Sequence, residues 1–106
     1  MRAAGSAVGV AGNTSGNDGG RVVETVTGQC APSVTSGEAV YFLRDGAVIT
    51  MPSARGNTCR YTFKTLGSGG RVIAAPGESI DRGADLTLGA GQTVEMLSDG
   101  NGWWSL

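Results

Sequence analysis

The chain has 106 residues and a formal net charge of −1, and Lys64 is its only lysine. This balance gives no electrostatic case for nucleic acid or an anionic membrane surface, and the length suits one domain. No run approaches the ~18 apolar residues of a membrane span, and Gly5, Ser6 and Gly9 interrupt the N-terminus too often for a signal peptide.

Residues 1–20 form one compositional block, six of them glycine and most of the rest Ala, Ser, Asn and Thr. Such a segment has little to bury and reads as an extended arm, about 66 Å long at ~3.3 Å per residue. Val8 and Val10 are its only β-branched aliphatic residues. With Ala7, Gly9 and Asn13 they are the candidate contacts of an arm laid on another surface: small residues allow close approach, and Asn13 offers hydrogen bonds.

Residues 21–106 read as a β-module. Arg-Val-Val-Glu-Thr-Val-Thr at 21–27 is β-branched and gives the first strand, and 28–37, with Pro32 and two glycines, a loop. The apolar runs 39–43 and 47–51 flank Asp45-Gly46, a pattern that predicts a hairpin with a type I′ turn. Pro52 ends the second of these runs. In 59–66, Tyr61 and Phe63 share one face and Arg60, Thr62 and Lys64 the other. Further short strands follow at 72–75, 86–88 and 93–97, separated by glycine turns, with Ile80 pointing inward from the loop 78–85. No window has a 3.6-residue apolar period. The expected fold is therefore all-β: one small antiparallel β-sandwich or barrel-like module of about eight short strands, with the arm in front.

The chain offers little catalytic chemistry. It has no histidine, which removes the usual general base and the Ser-His-Asp and Cys-His arrangements. Its acids are scattered over turns and strand edges, and Asp81 and Asp85, on either side of Gly83, read as turn-forming residues rather than cation ligands. The glycine turns 67–70 and 89–91 lack a phosphate-loop spacing. Cys30 and Cys59 match no zinc spacing and read as small buried apolar residues, with a disulfide left open. The chain is read as a non-enzyme without cofactor or metal.

Both tryptophans, Trp103 and Trp104, lie among the last four residues. A terminus carrying two such rings is expected to be a strand tied into the core. Neighbours on a strand point to opposite faces, so one ring fills the core and the other faces outward. The apolar inventory is thin for a monomer of this size, which favours an oligomer. Leu97, Trp103, Trp104 and Leu106 are the candidate oligomer interface.

The block 60–106 resembles a small β-module common in bacteriophage tail fibres, head fibres and capsid-surface proteins. The resemblance rests on Tyr61-Thr62-Phe63-Lys64, Gly67-Ser68-Gly69, Val72-Ile73, Pro76-Gly77-Glu78-Ser79-Ile80-Asp81, Leu86-Thr87-Leu88, Gly91-Gln92-Thr93-Val94, and Ser98-Asp99-Gly100 followed by Trp103-Trp104. Such modules usually run Ile-Asp-Gly, whereas here Arg82 intervenes before Gly83. The resemblance implies a virion structural protein and supplies no catalytic residues. An arm with one module, and no fibre shaft, suits a capsid decoration (cement) protein. That implies a homotrimer on the outer surface of the head, contacting the major capsid protein and assembled in the host cytoplasm. The alternative is a tail-fibre or head-fibre tip that binds a host receptor or glycan.

Overall fold

The computed structural model describes residues 14–18 and 21–106. Among the described residues there are ten strands and no helix: β1 (Thr14–Asp18), β2 (Arg21–Val26), β3 (Gln29–Cys30), β4 (Glu38–Arg44), β5 (Val48–Thr50), β6 (Arg60–Leu66), β7 (Gly70–Ile73), β8 (Asp85–Leu88), β9 (Thr93–Ser98) and β10 (Trp103–Ser105). They form a six-stranded sheet, β1-β2-β4-β6-β9-β10, and a four-stranded sheet, β3-β5-β7-β8. The all-β expectation holds. The antiparallel expectation does not, because β2, β4 and β6 are parallel in one sheet and β3, β5 and β7 in the other.

The reason lies in the corners. Asp45 and Gly46 do have positive φ, 29° and 74°, as the sequence predicts. Yet β4 and β5 do not pair, since they belong to different sheets. The turn carries the chain from one sheet to the other, and each strand then pairs with the strand one winding away. Arg21, Glu38 and Arg60 lie side by side in one sheet, and Gln29, Val48 and Arg71 in the other. The corners stack too. Val48 N–H donates to the Gly28 carbonyl and Gly46 N–H to the Gly69 carbonyl, at 2.8 Å or less. On the opposite side, Thr58 and Arg60 donate to Thr35 and Gly37. The result is a short solenoid in which each winding supplies the next with hydrogen-bond partners.

Alternation selects the core. In both β4 and β6 the second, fourth and sixth residues are buried. Stacking then builds inward rows across the strands: Val22, Ala39, Tyr61 and Met96, and beside them Glu24, Tyr41, Phe63 and Val94. Tyr41 and Phe63 stack with centroids 5.7 Å apart, and Trp103 meets the edge of Tyr61 at 5.3 Å. Cys30 and Cys59 are both buried, and loss of solvent pushes the Cys59 thiol up to about 11. Ile80 is 1% exposed, inward as expected.

Two strands fall where none was expected. β3 lies within the predicted loop 28–37, and β1 lies within the predicted arm and pairs antiparallel with β2. A two-residue strand gives no alternation to detect. β1 reads Thr-Ser-Gly-Asn-Asp and is specified by backbone pairing rather than by apolar pattern.

Candidate interaction surface

The C-terminal strands present the most developed outward-facing group of side chains. β9 and β10 are joined by a turn in which Asp99 N–H donates to the Gly102 carbonyl. One carboxylate oxygen of Asp99 accepts the N–H of Asn101 at 2.8 Å and that of Gly102 at 2.9 Å. The other accepts the Trp104 indole N–H at 2.8 Å. Those backbone donors first, and the indole after them, hold the Asp99 carboxyl below its ordinary value. The turn that reverses the chain therefore also anchors the ring.

A second turn holds the ring from the other side. Asp81 and Arg82 both have positive φ, 51° and 70°. Ile80 and Gly83 exchange two backbone hydrogen bonds of 2.8 Å around them, so the extra residue before Gly83 completes a two-residue turn. Aspartate tolerates this left-handed conformation better than arginine does. Surrounding bonds hold it: Asp81 N–H donates to the Trp103 carbonyl, and its carboxylate accepts the N–H and hydroxyl of Ser105. Arg82 is thereby placed with its guanidinium carbon 5.9 Å from the centroid of the Trp104 ring, within cation–π range.

Trp104 is half-buried and lies directly opposite Leu97, which is 36% exposed. Leu106 follows at 67% exposure, with its N–H bonded to the Glu95 carbonyl. The structure thus brings together Leu97, Trp104 and Leu106. Trp103 is different: it is wholly buried, and its indole N–H donates to the Pro52 carbonyl at 3.0 Å. It belongs to the protomer's own core and offers nothing to a second subunit. The expected division of the two rings between opposite faces is what the strand produces. Ala7, Val8, Gly9, Val10 and Asn13 lie outside the described residues.

The outer face of the six-stranded sheet continues the patch. Val23, Val40 and Phe42 are half-buried there, beside Thr62 and Lys64 on β6. Arg60 and Glu95 pair at 3.2 Å between β6 and β9. Asp99, Arg82 and Asp81 were legible only as turn residues. Asp99 at the head of a glycine-rich turn, five residues before Trp104, was the signal available for its second role.

The four-stranded sheet carries a shallow depression of about 290 Å³ on its outer face, lined by Gly46, Val48, Gly69, Gly70, Arg71, Thr87 and Leu88. Its one charged group, Arg71, already pairs with Asp85 at 3.0 Å. The depression is floored by glycine backbone, and few polar groups converge in it, unlike most ligand sites. Comparison with protein-family models, with curated proteins and with solved structures returns no match.

Proposed function

We propose that this chain is a bacteriophage capsid decoration protein. In this reading it forms a homotrimer through the outer face of the six-stranded sheet and binds the major capsid protein on the head's outer surface. The observation that carries the assembly part is Trp104. A half-exposed aromatic ring fixed by Asp99 and Arg82, beside exposed Leu97 and Leu106, is a pre-organised anchor of the kind that dominates subunit contacts. The capsid part rests on the resemblance of 60–106 to phage structural modules. Residues 1–20 supply the capsid contact, and three arms on one trimer gain by effective concentration.

One substitution and one truncation test this. Trp104→Ala is expected to abolish the trimer in light scattering while leaving the protomer folded. A chain beginning at Thr14, which retains β1, is expected to trimerise and yet fail to rebind heads stripped of the protein. Wild-type occupancy by that shorter chain would move the capsid contact to the β-module. The second reading, a fibre tip that binds glycan, draws on the same ring. It is favoured if Trp104→Ala abolishes binding to host-surface glycan and leaves the oligomer intact.

A further inference from the structure

The two sheets end differently on the C-terminal side of the winding. The last strand of the six-stranded sheet, β10, is covered along its outer edge. Trp103 N–H donates to Ser79, the Trp103 carbonyl accepts from Asp81, and Ser105 N–H donates to the Asp81 carboxylate. The last strand of the four-stranded sheet, β8, has no such cover among the described residues.

Its neighbour shows which of its groups point outward. Arg71 N–H donates to Ala47 and the Ile73 carbonyl accepts from Met51, so these two residues turn their backbone groups toward β5. Ala74 N–H instead donates to the Ala84 carbonyl, across the β7–β8 pairing. Arg71 lies opposite Thr87 and Ile73 opposite Asp85. In an antiparallel ladder the bonded pairs alternate, so Ala84, Leu86 and Leu88 bond toward β7. The N–H and C=O groups of Asp85 and Thr87 then point away from the sheet, and neither residue's backbone finds a partner there among the described residues. Lysine and proline, two residues that commonly blunt an edge, are absent from the four-residue strand 85–88. Its one charge, Asp85, is paired with Arg71.

We propose that β8 is an isologous contact between two copies of this chain, its edges pairing antiparallel about a two-fold axis at Leu86. The two outward-facing residues flank Leu86, so the register is self-complementary. Asp85 meets Thr87 of the second copy, Thr87 meets its Asp85, and each pair exchanges two backbone hydrogen bonds. No carboxylate faces its own symmetry mate. Leu86, half-buried against the core, meets its counterpart in the close non-hydrogen-bonded pair between them. The four-stranded sheet then continues across the axis. This contact uses a different strand from the Trp104 patch and does not rest on the capsid reading. Where both hold, two-fold contacts link neighbouring trimers.

The test is sedimentation of the full chain across a wide concentration range, with thermal unfolding as a check on folding. Thr87→Pro removes one outward N–H per copy and leaves the β7 ladder intact, because proline is tolerated on an edge where its N–H faces out. It is expected to weaken the two-fold association about tenfold or more. Thr87→Asp sets a carboxylate against Asp85 of the second copy and is expected to dissociate the pair. Thr87→Lys sets an ammonium there and is expected to retain it, the contrast shrinking as salt rises. Leu86→Cys is expected to give a covalent dimer on oxidation. If Thr87→Pro fails to fold, the Asp and Lys variants decide. Wild-type sedimentation without even-numbered association, or folded Thr87→Pro and Thr87→Asp chains that sediment as wild type, overturns the proposal. Trp104→Ala separates the two contacts: it is expected to remove threefold association and leave dimers, while Thr87→Pro leaves trimers.

Discussion

The wound strands β2–β7 and the closing strands β8–β10 use the same vocabulary of short apolar runs and glycine turns, with opposite results. In the wound part, strands adjacent in sequence lie in different sheets and pair in parallel with strands a winding away. In the closing part, β7 with β8 and β9 with β10 pair antiparallel with their sequence neighbours. The difference lies in where each turn places its polar groups. At Asp45-Gly46, Ala47 N–H closes the local turn, but Gly46 N–H donates to Gly69 in the next winding. At Asp99, carboxylate and backbone alike are bonded within the turn and to the strand it starts. Positive φ marks a reversal. The bonds outside the turn decide whether the reversal makes a hairpin or a corner.

The comparison breaks most sharply at Trp103, where the closing strands enter the core of the wound ones. Trp103→Ala removes the ring packed on Tyr61 and leaves the Pro52 carbonyl without its donor. The expected loss is about 3–5 kcal/mol in denaturant unfolding. A loss below about 1 kcal/mol would mean that the solenoid stands without its closing strand.

Gly69 tests the join between corner and closing strand. A Cβ built there lies 2.1 Å from the Leu88 carbonyl oxygen, so any side chain forces β7 and β8 apart. Gly69→Ala is expected to cost about 1–3 kcal/mol by the overpacking route, a smaller effect than Trp103→Ala. Gly46→Ala meets nothing within 4 Å, and its cost is confined to the positive φ of 74°. Equal unfolding midpoints for the two variants would contradict the close approach at Gly69.

The strands of the module were largely legible, because Ala39, Tyr41 and Leu43, then Tyr61, Phe63 and Thr65, alternate cleanly with polar or half-buried neighbours. Their pairing was not legible. A type I′ sequence such as Asp45-Gly46 reports local backbone conformation and carries no information about Gly69 in the next winding. The alternation of Tyr61 and Phe63 fits a sandwich and a solenoid equally well. At the candidate surface, the division of labour between Trp103 and Trp104 followed from strand geometry alone. The clamp of Asp99 and Arg82 did not, because its members converge from loops 17 residues apart that only the fold brings together.

The smallest expected effect concerns that clamp and depends on pH. Asp99 titrates below its ordinary value in the folded chain because two backbone N–H groups and the Trp104 indole favour its charged form. A carboxyl depressed on folding contributes stability above the ordinary aspartate range and loses it as pH falls through the folded value. Asp99 is exposed, so solvent screens the effect and the global melt is expected to move little. The local effect is directly visible in the two indole N–H resonances. Trp104 donates to a group that titrates, whereas Trp103 donates to the Pro52 carbonyl, which does not. Acidification is therefore expected to shift the Trp104 signal with a midpoint below the ordinary aspartate range, while the Trp103 signal holds until the chain unfolds. Asp99→Asn is expected to abolish that titration. A Trp104 signal that moves at or above the ordinary range, or together with Trp103, would mean that the turn does not hold the ring. The outward anchor would then be no more ordered than Leu106 beside it.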